Sequence, residues 1–269
     1  MTDPRAGATP ERLVTVKRRD GFAHVALDSP HNRNALSDGL VSELHRAFAD
    51  AEADPGVRGV VLTHTGGTFC AGADLSAAST SPVGDPATAR ANQLIDLLRV
   101  LVTLEKPVIG RIDGHVRAGG IGLVAACDIA IAGPRSSFAL TESRLGLAAA
   151  VISVTVLPRL TSRAAADLFL TGRTIGPAEA ERAGLVTRAA DDVDAAVSDV
   201  LADLSGCSPQ GLRESKLLVN HWLVAALTRD RERLVDQSAR LFGSDEAHEG
   251  MRSFLERRPP RWAPPGGGR

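Results

Sequence analysis

Between residues 13 and 133 the chain alternates short apolar runs with longer amphipathic ones, and this alternation limits the available folds more than any other feature. LVTVKR (13–18) and FAHVALD (22–28) read as strands joined by Asp20-Gly21, a residue pair typical of a tight hairpin. Ser37 is placed to cap a helix over 38–53, with Leu44, Ala47 and Phe48 at helical spacing. RGVVLTH (58–64), PVIGRI (107–112) and DIAIAG (128–133) read as further strands. Between them lie an amphipathic helix over 88–104, with Leu94, Leu97, Leu98 and Leu101 on one face, and a short helix in GLVAAC (122–127). Strands separated by helices imply βαβ crossovers and a mostly parallel sheet, so the expected class is α/β. From about residue 159 the pattern is helical except for GLVTRA (184–189). A core over 11–190 and a helical region over 191–258 are expected, with loose tails at 1–10 and in the Pro- and Gly-rich 259–269.

Composition narrows the function classes. A 269-residue chain with 43% hydrophobic residues can build one large core with a helical appendage. A formal net charge of -1 offers no electrostatic case for nucleic acid as a partner. No apolar run approaches the roughly 20 residues needed to span a bilayer, and the first residues lack the apolar stretch of a signal peptide. Cys70, Cys127 and Cys207 have neither disulfide-framework nor metal-ligand spacing, which points to no metal and a reducing cytoplasm.

Two segments of small residues stand out. FCAGAD (69–74) follows the strand and glycine turn of 58–67, and its Ala71, Gly72 and Ala73 leave the backbone bare. RIDGHVRAGGIGLVAACD (111–128) contains Gly120-x-Gly122-x-x-Ala125, which fits a dinucleotide fingerprint, with Glu142 in reach as a ribose-binding acid. The context is wrong for that motif: five residues separate the strand end at Ile112 from the first glycine region, and the following helix has room for barely two turns. A second reading joins the two segments. Gly119 and Gly120 sit where a helix would start, with unpaired N–H groups and the positive end of a dipole. FCAGAD supplies another exposed N–H, and two such donors aimed at one carbonyl oxygen form an oxyanion hole. The plainer alternative is tight packing of helix on sheet.

Taken together and in order, HNRNAL (31–36), GVVLTHTGGTFCAGADL (59–75), KPVIGRIDGHVRAGGIGLVAACDIAIA (106–132), FALTESRLGL (138–147), AADLFLTGRTIGPAEAERAGLV (165–186) and EAHEGMRSFLERRPPRW (246–262) resemble the crotonase family, the enoyl-CoA hydratase/isomerase superfamily. The resemblance implies a spiral of ββα units with a helical C-terminal region that drives trimerisation, often to a dimer of trimers. It implies an acyl-CoA substrate, with coenzyme A entering as part of that substrate and no separate cofactor. Carried over by motif, the N–H groups of Ala73 and Gly119 hold the thioester oxygen. Ala71 and Gly72 let the pantetheine lie close, Asp74 braces the loop, and Glu142 is the acid/base. Arg33, Phe254 and Arg257, with Arg258, match segments that border the coenzyme A. His115 is a candidate extra proton donor, His64 a structural residue, and Asp128 a brace for a strand start.

The chain departs from the family's two-glutamate hydratases at Gly122, where the first acid would stand. A lone glutamate at 142 suits either syn hydration of a 2-enoyl-CoA or proton transfer from C2 to C4 in a Δ3,Δ2-isomerisation. The surrounding segments are more similar to branched-chain hydratases acting on glutaconyl-type esters, so hydration is the expected activity, with isomerisation second and non-catalytic acyl-CoA binding third. The Ala148–Ala150 run replaces a glycine-rich turn common in relatives and bears on the shape of the acyl pocket.

Overall fold

Val14–Arg19 (β1) and Phe22–Leu27 (β2) pair antiparallel, with Arg19 opposite Phe22. The turn between them needs two left-handed residues, and Asp20 (φ 50°) and Gly21 (φ 81°) supply them. The coordinates form a computed structural model that describes residues 12–74 and 85–264. The expected tail at 1–10, residue 11, Leu75 of the second motif and residues 265–269 lie outside the described residues.

From β2 onward the chain repeats one unit. Gly59–His64 (β3), Val108–Ile112 (β5), Ile129–Ala132 (β7) and Arg188–Ala189 (β9) add in parallel to β2, giving the six-stranded order β1-β2-β3-β5-β7-β9. Three short strands, Thr68–Cys70 (β4), His115–Arg117 (β6) and Ser137–Ala139 (β8), form a second parallel sheet in the order β4-β6-β8. After β3, β5 and β7 in the first sheet, the next short strand joins the second, and a helix returns the chain. The helices are Asp85–Thr103 (α2) after β4 and Gly119–Ala126 (α3) after β6, while Asp38–Ala53 (α1) precedes β3. This is the expected spiral of ββα units. Three-residue strands are too short to show a periodicity, so the second sheet was not legible in the sequence. The short helix spans Gly119–Ala126, starting not at 122 but at Gly119, where the second reading of the glycine segment placed a helix start.

Ser37 caps α1 as expected, its Oγ accepting from the Leu40 N–H at 3.3 Å. The central strands β3, β5 and β7 are covered on both faces, which explains their continuous apolar runs. Val60 and Leu62 face α1 and α2 in the main core, where Leu98 and Leu101 are fully buried. Val61, Ile109 and Ile131 face the other way, onto Val193, Val197 and Val200 of α7 (Val193–Ser205).

The remaining helices are Ala150–Val156 (α4), Ser162–Thr171 (α5), Pro177–Ala183 (α6), Pro209–Arg229 (α8), Arg231–Phe242 (α9) and Asp245–Leu255 (α10). A buried cluster fastens α8 to the spiral. Lys216 Nζ donates to the carbonyls of Leu101 (2.9 Å) and Lys106 (3.0 Å) and pairs with Asp128 Oδ2 at 2.7 Å. Asp128 also accepts from the Val108 N–H at 2.7 Å and from Asn220 Nδ2 at 2.9 Å. Asp128 therefore braces the start of β5 and ties it to α8 as well.

Part of the expected C-terminal tail, 259–264, lies among the described residues. Residues 259–264 are held in place: the Arg261 N–H donates to Glu249 Oε1 at 3.0 Å and the Ala263 N–H to the Pro260 carbonyl at 3.0 Å. A buried acid on α10 supplies the anchor, and composition alone does not reveal it.

Candidate active site

The segments after β4 and β6 meet. A Cβ built on Gly72 would stand 2.8 Å from Ala118 Cβ and 3.3 Å from the Gly119 nitrogen. Only glycine fits there, both for space and because its φ is +88°. Ala118 itself holds φ 47°, ψ -121°, a conformation that strains a residue with a Cβ by about 1–3 kcal/mol. It turns the chain from β6 straight into the first residue of α3.

The peptide planes show where the two amides point. The Leu36 N–H donates to the Gly72 carbonyl at 2.8 Å. In a trans peptide the C=O and the following N–H point in opposite directions, so the Ala73 N–H points away from Leu36. Likewise the Ala118 carbonyl accepts from Ile121 at 2.8 Å, and the Gly119 N–H, at the open start of α3, points the other way. Among the described residues neither amide donates to a protein acceptor. Ala73 and Gly119 both line one cavity of about 1250 Å³, larger than the roughly 300–1,000 Å³ of most small-molecule pockets.

Glu142 opens a 3₁₀ turn, Glu142–Leu145, and lines the same cavity. Ala118 bridges it to the amides, since its N–H donates to the Ala139 carbonyl of β8 at 3.2 Å, three residues before the acid. The flanking Phe138, Leu140 and Leu147 are buried. From above, α10 presses on the turn: a Cβ on Gly250 would lie 2.3 Å from the Leu145 carbonyl oxygen. In this setting Glu142 Oε2 is buried and, among the described residues, has no hydrogen-bond partner. Burial pushes the carboxyl up to about 7, because the charged form loses hydration and gains little in return.

The other expected residues divide. Ala71, Asp74, Arg33, Phe254 and Arg257 line the cavity with Ala73, Gly119 and Glu142. Gly72 is buried behind the wall, where it lets the two segments close together. Arg258 reaches the wall, but its guanidinium is taken by Glu249 (2.7 and 2.9 Å) and Glu256 (2.7 Å). His115 lies outside the cavity, its Nδ1 2.8 Å from Ser137 Oγ. His64 Nε2 accepts from the Asp113 N–H at 3.2 Å and its ring stands edge-on to Phe69, a structural setting in which burial lowers its pKa. Cys70 and Cys127 are buried thiols pushed up to about 12 by desolvation. Among the described residues no group of three or more His, Cys, Asp or Glu could hold a metal, and no helix is long and apolar enough to cross a membrane.

Packing accounts for the fingerprint glycines. A Cβ on Gly120 would lie 2.8 Å from the Cys70 carbonyl oxygen, and one on Gly122 would lie 2.5 Å from Ile152 Cγ2. Sequence reasoning missed several residues. Asn34 (φ 53°) is fully buried; it accepts from the Ser29 N–H at 2.7 Å and donates to the carbonyls of Thr65 (3.1 Å) and Thr68 (2.7 Å), setting the loop that carries Arg33. Ile152, Arg117 and Trp262 line the cavity. An Asn inside HNRNAL was a fair signal for a left-handed residue; Ile152 left none.

Two interleaved, mostly parallel sheets built from ββα units, closing on a cavity with free amides at its wall, make this a crotonase-fold protein. The enoyl-CoA hydratase/isomerase family model matches residues 17–265, and the chain belongs to that family. It superposes on the crystal structure of an enoyl-CoA hydratase from Mycobacterium avium with a TM-score of 0.88, at 53% identity over 94% of this chain and 100% of that one. It is 32% identical to the enoyl-CoA hydratase EchA19 of Mycobacterium tuberculosis over 260 residues, 94% of this chain and 96% of that protein. It is also 32% identical to the mevalonyl-coenzyme A hydratase sidH of Aspergillus fumigatus over 246 residues, 89% of this chain and 90% of that protein.

Proposed function

We propose that the protein adds water to a 2-enoyl-CoA thioester, giving the 3-hydroxyacyl-CoA, with Glu142 as sole acid/base and the amides of Ala73 and Gly119 as oxyanion donors. The observation that carries this reading is the unpartnered Glu142 Oε2, buried beside a cavity that two free amides also line. The ionised carboxylate takes a proton from water as the water oxygen bonds to C3. The C2=C3 electron pair moves toward the thioester, whose oxygen becomes an enolate held by the two N–H groups. Glu142 then returns the proton to C2, the enolate collapses, and H and OH have been added across the double bond. No cofactor is required beyond the coenzyme A of the substrate. Arg33 and Arg257 are suited to its phosphates, since guanidinium pairs with phosphate bidentately.

A branched acyl group belongs to this proposal, supported by the similarity to the mevalonyl-coenzyme A hydratase. So does a homotrimer or dimer of trimers, supported by the bare apolar face of α8, where Leu218, Val219 and Trp222 are exposed. A cytoplasmic setting is supported by three unpaired cysteines. Isomerisation is the second reading, favoured by the filled space at Gly122, which leaves one carboxyl to shuttle protons.

A panel of straight, branched and glutaconyl-type enoyl-CoA esters tests the proposal. Loss of the conjugated thioester absorbance, abolished by Glu142→Gln, is the expected result. Appearance of that absorbance from a 3-enoyl-CoA, with no loss from the 2-enoyl esters, would replace hydration by isomerisation. Binding without either change would leave an acyl-CoA-binding protein.

A further inference from the structure

Glu249 is a buried carboxylate that the proposed chemistry does not use. It lies on α10, is 5% exposed, and precedes the Gly250 that packs on the turn of Glu142. Arg258 Nη1 and Nη2 donate to it at 2.7 and 2.9 Å, the Arg261 N–H at 3.0 Å, and the Arg261 side chain stands 3.6 Å away. The hydrogen bonds from Arg258 come first in holding the carboxyl down to about 2. All these partners belong to the segment leaving α10, which runs along the cavity with Arg257, Pro259, Pro260 and Trp262 on its wall.

The exit from α10 shows what the anchor is for. The Arg257 N–H donates to the Phe254 carbonyl (3.2 Å) and the Arg258 N–H to the Ser253 carbonyl (2.9 Å), the paired bonds of a Schellman ending. Its left-handed position usually holds glycine; here it is Arg257 at φ 54°, a conformation that strains a residue with a Cβ. A long cation is thus kept in a strained conformation on the cavity wall, and Arg258 and Arg261 just beyond it are tied to a buried acid. Such a pair adds little net stability, because desolvation offsets the Coulomb attraction, so its main effect is on geometry.

We propose that Glu249 is a positioning residue for the nucleotide half of coenzyme A: by fixing Arg258 and the Arg261 amide it holds Arg257 and Trp262 against the bound phosphates and adenine. The proposal rests on the reading of the substrate as a CoA thioester.

The test uses Glu249→Gln and, from the exposed side of the pair, Arg258→Gln. Both are made in a Trp222→Phe background, in which Trp262 is the single tryptophan. Coenzyme A alone is titrated against Trp262 emission. Steady-state kinetics then compare crotonyl-CoA with the crotonyl thioester of N-acetylcysteamine, which lacks the nucleotide. A rise of about tenfold in the CoA Kd and in KM for crotonyl-CoA is expected in both variants, with a smaller Trp262 response. The kcat for crotonyl-CoA and the kcat/KM for the truncated thioester should stay within about twofold. An unchanged Kd and KM overturns the proposal. So does tighter binding, the result if a freed Arg258 merely adds a cation at the mouth, and so does an equal fall for both thioesters. If the parent protein binds coenzyme A but hydrates neither ester, the reading of the reaction fails and the titration alone decides on Glu249. If it binds no coenzyme A, both fall.

Discussion

Ile152 Cγ2 stands 2.5 Å from the point that a Cβ on Gly122 would occupy, and Ile152 Cβ stands 2.9 Å from it. Helix α4 has therefore filled the space where two-glutamate relatives are expected to carry their first acid. Thr155 of the same helix reinforces the contact, its Oγ1 donating to the Gly122 carbonyl at 3.3 Å. Of the two expected acid positions, only Glu142 carries a carboxyl on the cavity wall.

Gly122→Ala should destabilise the fold by about 1–3 kcal/mol through overpacking, and Gly122→Glu by more, since it also buries a charge. Adding Ile152→Ala to Gly122→Ala should recover part of the loss. Urea denaturation of the two single variants and the double one checks this; additive losses would show that Ile152 does not close the site.

Gly72→Ala should act from just behind the cavity wall. Its Cβ would press on Ala118 Cβ at 2.8 Å and the Arg117 carbonyl at 3.1 Å, and its φ of +88° is strained for alanine. The Gly119 amide must shift, so kcat should fall about 10²-fold or more, the loss typical for one oxyanion donor. Coenzyme A affinity should change far less. Chromophore-loss kinetics and a CoA titration on the same preparation separate the two effects.

Glu142 gives a pH dependence of defined sign. Its folded value of about 7 lies above its ordinary value of 4.5, so the folded state binds the proton more tightly than the unfolded one. Below about 4.5 both states are protonated and the group makes no difference. Stability should fall as pH rises from about 4.5 to about 7, by roughly 3 kcal/mol in all, and stay reduced above that. Hydration requires the ionised form, so kcat/KM should drop with falling pH through about 7. Glu142→Gln should abolish hydration and be more stable than the parent at pH 8, as measured by denaturation at pH 5 and pH 8.

Lys216→Met should cost about 1–3 kcal/mol, because Asp128, its side chain only 15% exposed, loses its cation. Lys216→Met with Asp128→Asn should cost less than the single change. Thermal melts of the pair check the coupling; equal losses would remove Asp128 from the explanation.

Much of this fold was legible along the chain. The hairpin at Asp20-Gly21, the cap at Ser37, the long strands and the helical last third all declare themselves through neighbours a few positions apart, where turn chemistry and periodicity operate. Glu142 and the two small-residue segments were also visible, as residue types in an ordered set. The short strands were not, because three residues carry no period; nor was the anchoring of 259–264, because Glu249 lies ten or more positions upstream.

Residue types along the chain mark which backbone stretches are bare enough to admit a ligand and which acid is available to them. Folding turns the peptides of Ala73 and Gly119 outward on a shared wall, leaves Glu142 an unpartnered oxygen there, and stands Ile152 over Gly122. Desolvation and steric exclusion are set by groups brought from remote parts of the chain: α10 over the Glu142 turn, α4 over α3, and Ala118 wedged against Gly72. Those contacts leave no local pattern in the sequence, yet they set both the protonation of the acid and the space around it.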